Sequence, residues 1–313
     1  MVFWKTYPLS RLWESLWNRE VFLPQPVDKE PLVPPGEPMT QITRPEEVTE
    51  VRVFLRTYFG NPPHTPVLDM PEETLCGIPN HLFAVRAHGA IVGTIRYHYL
   101  GEFVSSTGEP IYAVDCFCIH PTWRRRGLGD YLLTALHQYV HRKGIPYSMF
   151  LKEGASVRTP SFYTGTYAYR ETGSRPSRHL RNLTVEQAHQ WMDVVRQIHP
   201  LFVIRNVAAP NQRWKGYRKG MHSVLACVQD TYQSKEGKRM AWVTAWIESP
   251  GITDAIRSDA ADAIADDLPE FEYVWMNSLW SGCAGEWKED GPFHWYTYQW
   301  TSVPMGRSYA ISV

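Results

Sequence analysis

The spacing of apolar residues along the chain predicts the helices and strands of an α+β protein. Residues 46–59 carry apolar side chains at helical spacing after Pro45, and in residues 124–142 a leucine or valine recurs every four positions before Gly144. Both segments are predicted to be amphipathic helices, the second ending at its glycine. Short apolar runs between turn residues predict strands at 82–87, 91–100, 111–120, 147–151 and 161–169. The order of a helix, antiparallel strands and then a strand–helix–strand unit predicts a mixed sheet with one parallel crossover.

The second part of the chain repeats this order. We interpret the polar residues 171–184 as a linker and the basic residues 210–220 as a loop. Helices are predicted at 185–198 and 250–268, and strands at 201–207, 223–230, 238–248, 272–279 and 293–300. The repetition predicts two copies of one fold, a first domain over residues 1–182 and a second over 183–313.

Composition excludes several classes of function. The 313 residues include 32 basic and 32 acidic side chains, so the net charge of zero gives no reason to expect nucleic-acid binding. The five cysteines include no Cys-x-x-Cys pair, and the histidines show no metal-ligand spacing, so neither a disulfide framework nor a metal site is predicted. We expect a reducing, cytoplasmic environment. No run of about 18 apolar residues is present, so no stable membrane insertion is expected.

Candidate chemistry is concentrated between Val114 and Gly129, where a predicted strand is followed by a turn and a helix start. The turn contains Arg124-x-x-Gly127-x-Gly129, with further positive charge on Arg125 and Arg126. Backbone N–H groups without helical partners, together with the positive end of the helix dipole, suit a pyrophosphate. The spacing resembles the acyl-CoA-binding motif R/Q-x-x-G-x-G/A of GNAT-type N-acyltransferases. The alternative is an ordinary basic helix start that contains two glycines.

Four segments, in order, resemble the N-myristoyltransferase (glycylpeptide N-tetradecanoyltransferase) family. They are Phe3-Trp4-Lys5-Thr6-Tyr7-Pro8-Leu9; Ile91-Val92-Gly93 with Val114–Gly129; Met276-Asn277-Ser278-Leu279; and Trp295–Trp300 with Pro304-Met305-Gly306. The resemblance implies two tandem GNAT-like halves. It also implies transfer of a fatty acyl group, myristoyl in that family, from acyl-CoA to the N-terminal glycine amine of a protein or peptide.

The resemblance further implies roles for individual residues. The general base would be the free carboxylate of the last residue, Val313, and Asp115 on the strand beside the thioester is the competing candidate. The backbone N–H groups of Cys116 and Phe117 would bind the oxyanion, which requires a β-bulge to free them from the sheet. The predicted contacts of coenzyme A are Phe3, Trp4, Cys118, Ile119, Arg124, Arg125, Arg126, Gly127, Leu128 and Gly129.

Two departures from the family leave alternatives open. The acidic loop that receives the peptide in the family falls on Tyr58–His64, which contain no carboxylate, and Arg126-Gly127-Leu128-Gly129 is closer to a general GNAT motif. One alternative is an acetyltransferase that uses acetyl-CoA on a peptide or small amine. Another is a non-catalytic acyl-CoA-binding protein. Acyl-CoA, with either myristoyl or acetyl as the acyl group, is the expected co-substrate or ligand in each case.

Overall fold

The computed structural model describes residues 38–60, 66–77, 79–103, 109–145, 147–156, 161, 163–175, 177–198, 204–205, 211–282 and 285–298. The first half contains β1 (Thr40–Gln41), α1 (Pro45–Tyr58), α2 (Glu72–Cys76), β2 (His81–Ala87), β3 (Ala90–Phe103), β4 (Glu109–Ile119), α3 (Leu128–Lys143), β5 (Tyr147–Glu153) and β6 (Tyr163–Glu171). The second half contains β7 (Leu180–Leu183), α4 (Val185–Ile198), β8 (Ile204–Arg205), β9 (Gln212–Lys219), β10 (His222–Lys235), β11 (Lys238–Glu248), α5 (Asp254–Asp266), β12 (Tyr273–Asn277) and β13 (Lys288–Tyr298).

Within these residues, thirteen strands form one sheet, which runs through both halves of the chain. The strand order is β1-β2-β3-β4-β5-β13-β6-β12-β11-β10-β9-β7, with β8 paired to β3. The final strand β13 lies between β5 and β6 of the first half, and β6 in turn pairs with β12 of the second half. The halves therefore share strands at the centre of the sheet.

The predicted repetition is present in the sheet. In the first half, the β3–β4 pair is followed by α3 and by β5, which lies parallel to β4. In the second half, the β10–β11 pair is followed by α5 and by β12, parallel to β11. The α+β class with a mixed sheet and a repeated order of elements in the two halves is therefore confirmed. Among the described residues no helix combines the length and apolarity needed to cross a membrane.

The helices bury the faces that the sequence predicts. Helix α1 begins at Pro45 and buries Val48, Val51, Phe54 and Leu55 against the sheet. Helix α3 packs on the other face, where its buried leucines contact residues of β2 and β3. It begins at Leu128 rather than at Arg124, because a short 3₁₀ turn and a left-handed Gly127 (φ 83°) precede it.

Two segments interpreted as loop and linker contain strands. Residues 212–219 form β9 and residues 180–183 form β7, its partner at the sheet edge. The polar side chains of these residues suggested exposed segments, but they are compatible with a sheet. The buried Lys215 of β9 donates hydrogen bonds from Nζ to Asn182 (2.7 Å) and Asp267 (2.6 Å). The predicted boundary between residues 182 and 183 falls within β7, and the division into two domains stays a prediction.

Candidate active site

A β-bulge interrupts β4 at Cys116 and Phe117. Thr94 of β3 is paired with Cys118 of β4, and Arg96 of β3 is paired with Asp115 of β4. Between these two pairs β3 has one residue and β4 has two, so β4 contains one extra residue. Cys116 has φ 47°, in the left-handed region that a non-glycine residue rarely adopts. The buried Thr94 hydroxyl donates a hydrogen bond to the Cys116 carbonyl oxygen (2.9 Å). The bulge that the oxyanion prediction required is therefore present, and a threonine side chain stabilises it.

In the part of the chain that the structure describes, Cys116 and Phe117 also lack a strand partner on the other edge of β4, the edge that pairs with β5. Parallel pairing with β5 runs from Ile111 to Val114 and ends there. Neither Cys116 nor Phe117 has a register partner on β3 or β5 within the described residues. The two neighbouring backbone N–H groups are thus placed where the strands separate, as an oxyanion site requires. Their role in catalysis stays a prediction.

The predicted phosphate turn lies directly after the bulge. Arg125 (φ 61°) and Gly127 (φ 83°) are both left-handed, and they bring the first N–H groups of α3 into an exposed turn. A Cβ on Gly129 would lie 3.3 Å from the Phe117 ring and 3.2 Å from Ile119, so a glycine lets α3 approach β4 closely. Leu128 is buried beneath the helix start. The geometry suits the phosphates of the predicted acyl-CoA, with the thioester extending from the turn to the bulge.

The three arginines of the turn differ in environment. The half-buried Arg124 donates from Nε to the Ile119 carbonyl oxygen (3.0 Å) and from Nη2 to that of Tyr58 (3.5 Å), so it ties the turn to β4 and α1. Arg125 and Arg126 are exposed, and the Arg126 guanidinium lies 5.9 Å from the Trp123 ring centre. The latter two are the better placed for phosphate contacts, while Arg124 already has partners in the fold.

Asp115 lies one residue before the bulge, in an ion-paired cluster on β3 and β4. Arg96, which is 1% exposed, donates from Nε to Oδ1 of Asp115 (2.7 Å) and from Nη2 to Oδ2. Removal from bulk water acts to raise the pKa of Asp115, but Arg96, with a smaller contribution from His98, lowers it below its usual range. A carboxylate of this kind is a weak base, so the pairing disfavours the predicted role of Asp115 as general base.

His98 is a neighbour of this cluster that sequence reasoning did not single out. Its Nδ1 lies 3.3 Å from Oδ2 of Asp115. Because His98 and Arg96 are two residues apart on β3, both side chains reach the same face of the sheet, on which Asp115 also lies. Arg96 and His98, which alternate on β3 opposite Asp115, were the sequence feature that could have indicated this cluster. The feature can be recognised only when the register of β3 against β4 is known.

A cavity of about 410 Å³ opens on this face of the sheet, between the two halves. From the first half, Arg96, His98, Asp115 and Cys116 line it, and from the second half the strand β10 does so, including Asp230 and Tyr232. A second cavity, of about 30 Å³, lies on the opposite face under α3, among apolar residues such as Leu136, Met149 and Phe150. The larger cavity has room for an amine substrate beside the bulge.

The two cysteines of the strand behave as buried core residues. Cys116 and Cys118 pack against α1. Burial raises the pKa of the Cys116 thiol above its usual range and that of Cys118 to about 11, so both are protonated at neutral pH. Within the described residues no three His, Cys, Asp or Glu side chains are grouped as a metal site. The predicted Phe3, Trp4 and Val313 lie outside the described residues.

Comparisons with known proteins agree with this geometry. Residues 49–164 match the family model of the acetyltransferase (GNAT) family. Two solved structures of Saccharomyces cerevisiae N-myristoyltransferase with bound myristoyl-CoA superpose with TM-scores of 0.66 and 0.67 at 12% and 13% identity. The alignments cover 98% and 96% of this chain and 90% and 93% of the yeast chains. This chain has the N-myristoyltransferase fold. A sequence search of curated proteins gives no match.

The family-model match covers the part of the chain that contains the predicted phosphate turn. It spans α1 to the beginning of β6, and so includes the bulge, the glycine turn and the parallel β4–β5 pair. The N-myristoyltransferase fold extends the likeness through the second half, whose β10 lines the larger cavity. The resemblance found in four short sequence segments is thereby confirmed as a likeness of the whole fold.

Proposed function

We propose that this protein is an acyl-CoA-dependent N-acyltransferase that moves a fatty acyl group, myristoyl, to the N-terminal glycine amine of a protein or peptide. The observation that carries the proposal is the β4 bulge, which lies between a glycine turn suited to phosphates and a cavity large enough for an amine substrate. The myristoyl-CoA bound to the yeast enzymes of the same fold supports the choice of acyl group.

The chemistry needs a neutral amine, a stabilised oxyanion and a leaving thiolate. The amine nitrogen attacks the thioester carbonyl carbon, and the negative charge that develops on oxygen would be bound by the N–H groups of Cys116 and Phe117. Each donor of this kind is worth about 3 kcal/mol in the transition state. Collapse of the tetrahedral intermediate breaks the C–S bond, and the proton lost by nitrogen is taken up by the coenzyme A sulfur.

Coenzyme A would be held by the turn that contains Arg125, Arg126 and Gly127. The pyrophosphate accepts hydrogen bonds from N–H groups at the start of α3, and the two exposed arginines contribute positive charge. Phe3 and Trp4 remain expected contacts by resemblance. The carboxylate of Val313 remains the base that the resemblance implies.

A second candidate, acetyl transfer, is favoured by one observation. The apolar cavity beneath α3, at the end of the β4–β5 pairing, has a volume of only about 30 Å³ among the described residues. Such a space suits a short acyl group better than a long one. The Arg-x-x-Gly-x-Gly turn and the match to the acetyltransferase family model agree with this candidate.

Mass spectrometry separates the candidates. A peptide that begins with glycine, and the same peptide with a blocked N-terminus, are incubated with myristoyl-CoA or acetyl-CoA. We expect a myristoyl mass gain on the free peptide alone. A gain only with acetyl-CoA would establish the second candidate. Binding of both thioesters without any transfer would establish the non-catalytic alternative.

A further inference from the structure

We propose that the imidazole of His98 is the general base that removes a proton from the acceptor amine. This inference rests on the proposed N-acyltransferase function and assigns a residue to a step for which sequence resemblance offered Val313 or Asp115. It is carried by the position of His98 in the larger cavity and by its contact with Asp115.

The first step of the argument is that Asp115 is fixed. Arg96 contacts both of its carboxylate oxygens, and Nη1 of Arg96 donates to the Thr74 carbonyl oxygen (2.6 Å). The guanidinium is therefore anchored between α2 and β4, and the carboxylate has little freedom to turn. Asp115 remains ionised because Arg96 lowers its pKa. Asp115 is therefore a positioning residue for a side chain that contacts its Oδ2 atom.

The second step is that His98 contacts this Oδ2 atom of Asp115. With Nδ1 3.3 Å from Oδ2 of Asp115, the carboxylate favours the tautomer that carries its proton on Nδ1. The other ring nitrogen, Nε2, then has a lone pair. A histidine whose ring is oriented by a carboxylate is a recurrent arrangement of general bases.

The third step is access to the substrate. His98 lines the 410 Å³ cavity together with Cys116, which begins the bulge, so an amine that enters the cavity has access to both His98 and the proposed thioester site. A base acts directly or through one water molecule. The charged and titratable groups that line the cavity with His98 also include Glu73, Arg96, Tyr99, Asp115, Asp230 and Tyr232.

The proton balance is complete without a further reactant. Neutral His98 accepts one proton from the acceptor ammonium, and the neutral amine attacks the thioester carbon. The second proton lost by nitrogen goes to the coenzyme A sulfur as the C–S bond breaks. His98 returns its proton to water, so the products are the amide, the free thiol and one proton.

The test is the pH dependence of acyl transfer between pH 6 and 9, followed as kcat/KM with a glycine-starting peptide. His98→Gln is expected to lower kcat/KM about tenfold at pH 7, because only about a tenth of a substrate α-amine is neutral at that pH. The deficit should shrink towards pH 9, because the substrate α-amine, with a pKa of about 8, then loses its proton without help. The matched control is His141→Gln, at an exposed position in the last turn of α3, which should keep the original profile.

Two further variants separate the base from structural roles. Imidazole added to His98→Ala should restore activity, since the cavity has room for the free base. Removal of Val313 should leave the pH dependence of kcat/KM unchanged. An unchanged profile in His98→Gln, or a His98→Ala protein that binds CoA but is not rescued by imidazole, would overturn the assignment while the transferase function stands. If the unaltered protein transfers no acyl group, both the proposed function and this inference are wrong.

Discussion

Arg96 and Asp115 form a two-point ion pair across β3 and β4, one residue before the bulge at Cys116. The arginine is almost completely buried, while about a third of the aspartate side chain is exposed and the residue lines the larger cavity. The pair thus connects the interior of the first half to the proposed reaction centre. It stabilises the strand register and holds a negative charge beside His98.

Loss of the Arg96 guanidinium should destabilise the fold. Arg96→Met leaves the Asp115 carboxylate, which is about two-thirds buried, without its partner, and we expect a loss of about 2 kcal/mol in the free energy of unfolding. Arg86→Met is the control, because Arg86 pairs with the largely exposed Glu50 on the surface and its loss should cost about 1 kcal/mol or less. Urea titrations of both variants measure the difference. Equal effects would contradict a special role for the buried pair.

The left-handed glycines at the two ends of α3 offer a paired test of the phosphate turn. Both Gly127 and Gly144 have positive φ, and a Cβ on either would meet no atom within 4 Å. Alanine at each position should therefore cost about 1 kcal/mol of stability through backbone strain alone. Only Gly127→Ala should also weaken CoA binding, by about tenfold in calorimetry, because it disturbs the anion-binding end of the helix. Equal CoA affinity in both variants would contradict the site.

The exposed arginines of the turn should act through charge. Neutralising Arg125 and Arg126 together (Arg125→Asn, Arg126→Gln) should weaken CoA binding and reduce its dependence on salt concentration. The control neutralises Arg142 and Lys143, two exposed cations at the opposite end of α3. Binding at several salt concentrations is the measurement. A control that lost as much affinity would indicate general attraction rather than a local phosphate site.

His137 should make stability depend on pH. This buried histidine of α3 lies 2.7 Å from the Tyr298 hydroxyl oxygen, and burial lowers its pKa to about 4. The unfolded chain, with an ordinary pKa of about 6.5, binds more protons between these values, so stability is full above pH 6.5 and falls as the pH falls towards 4. Denaturant titrations should show a contribution of about 2 kcal/mol between pH 7 and pH 5.

The control for this prediction is His137→Leu, which removes the titrating ring. Its free energy of unfolding should change less between pH 7 and pH 5 than that of the unaltered protein. The same pH slope in both proteins would show that other groups cause it.

The sequence was sufficient for most of the fold because apolar periodicity depends on local geometry. Helix α1 and the strands around the motif lie close to where the spacing of Val, Leu and Phe side chains predicted them. Strand β9 was missed because Lys215, which suggested a loop, has buried partners that are distant in sequence. Such pairing becomes visible only when the sheet order is known.

Some features of the site could likewise be predicted from the sequence, and others could not. The glycine turn could be predicted from the residues themselves, because a helix start is a local feature. The oxyanion donors were assigned by family resemblance, which required a bulge at Cys116 and Phe117, and their role stays a prediction. The contact of His98 with Asp115 could not, since it depends on the register of β3 against β4. The ion pair with Arg96, which makes Asp115 a weak base, is likewise a tertiary contact.

The most direct test of the account is a crystal structure with an acyl-CoA analogue in which a methylene group is inserted between sulfur and carbonyl, so that it cannot transfer its acyl group. We predict that the pyrophosphate lies on the turn formed by residues 125–129. The analogue's carbonyl oxygen should accept hydrogen bonds from the backbone N–H groups of Cys116 and Phe117. An analogue bound elsewhere, or an empty turn at saturating concentration, would contradict the account.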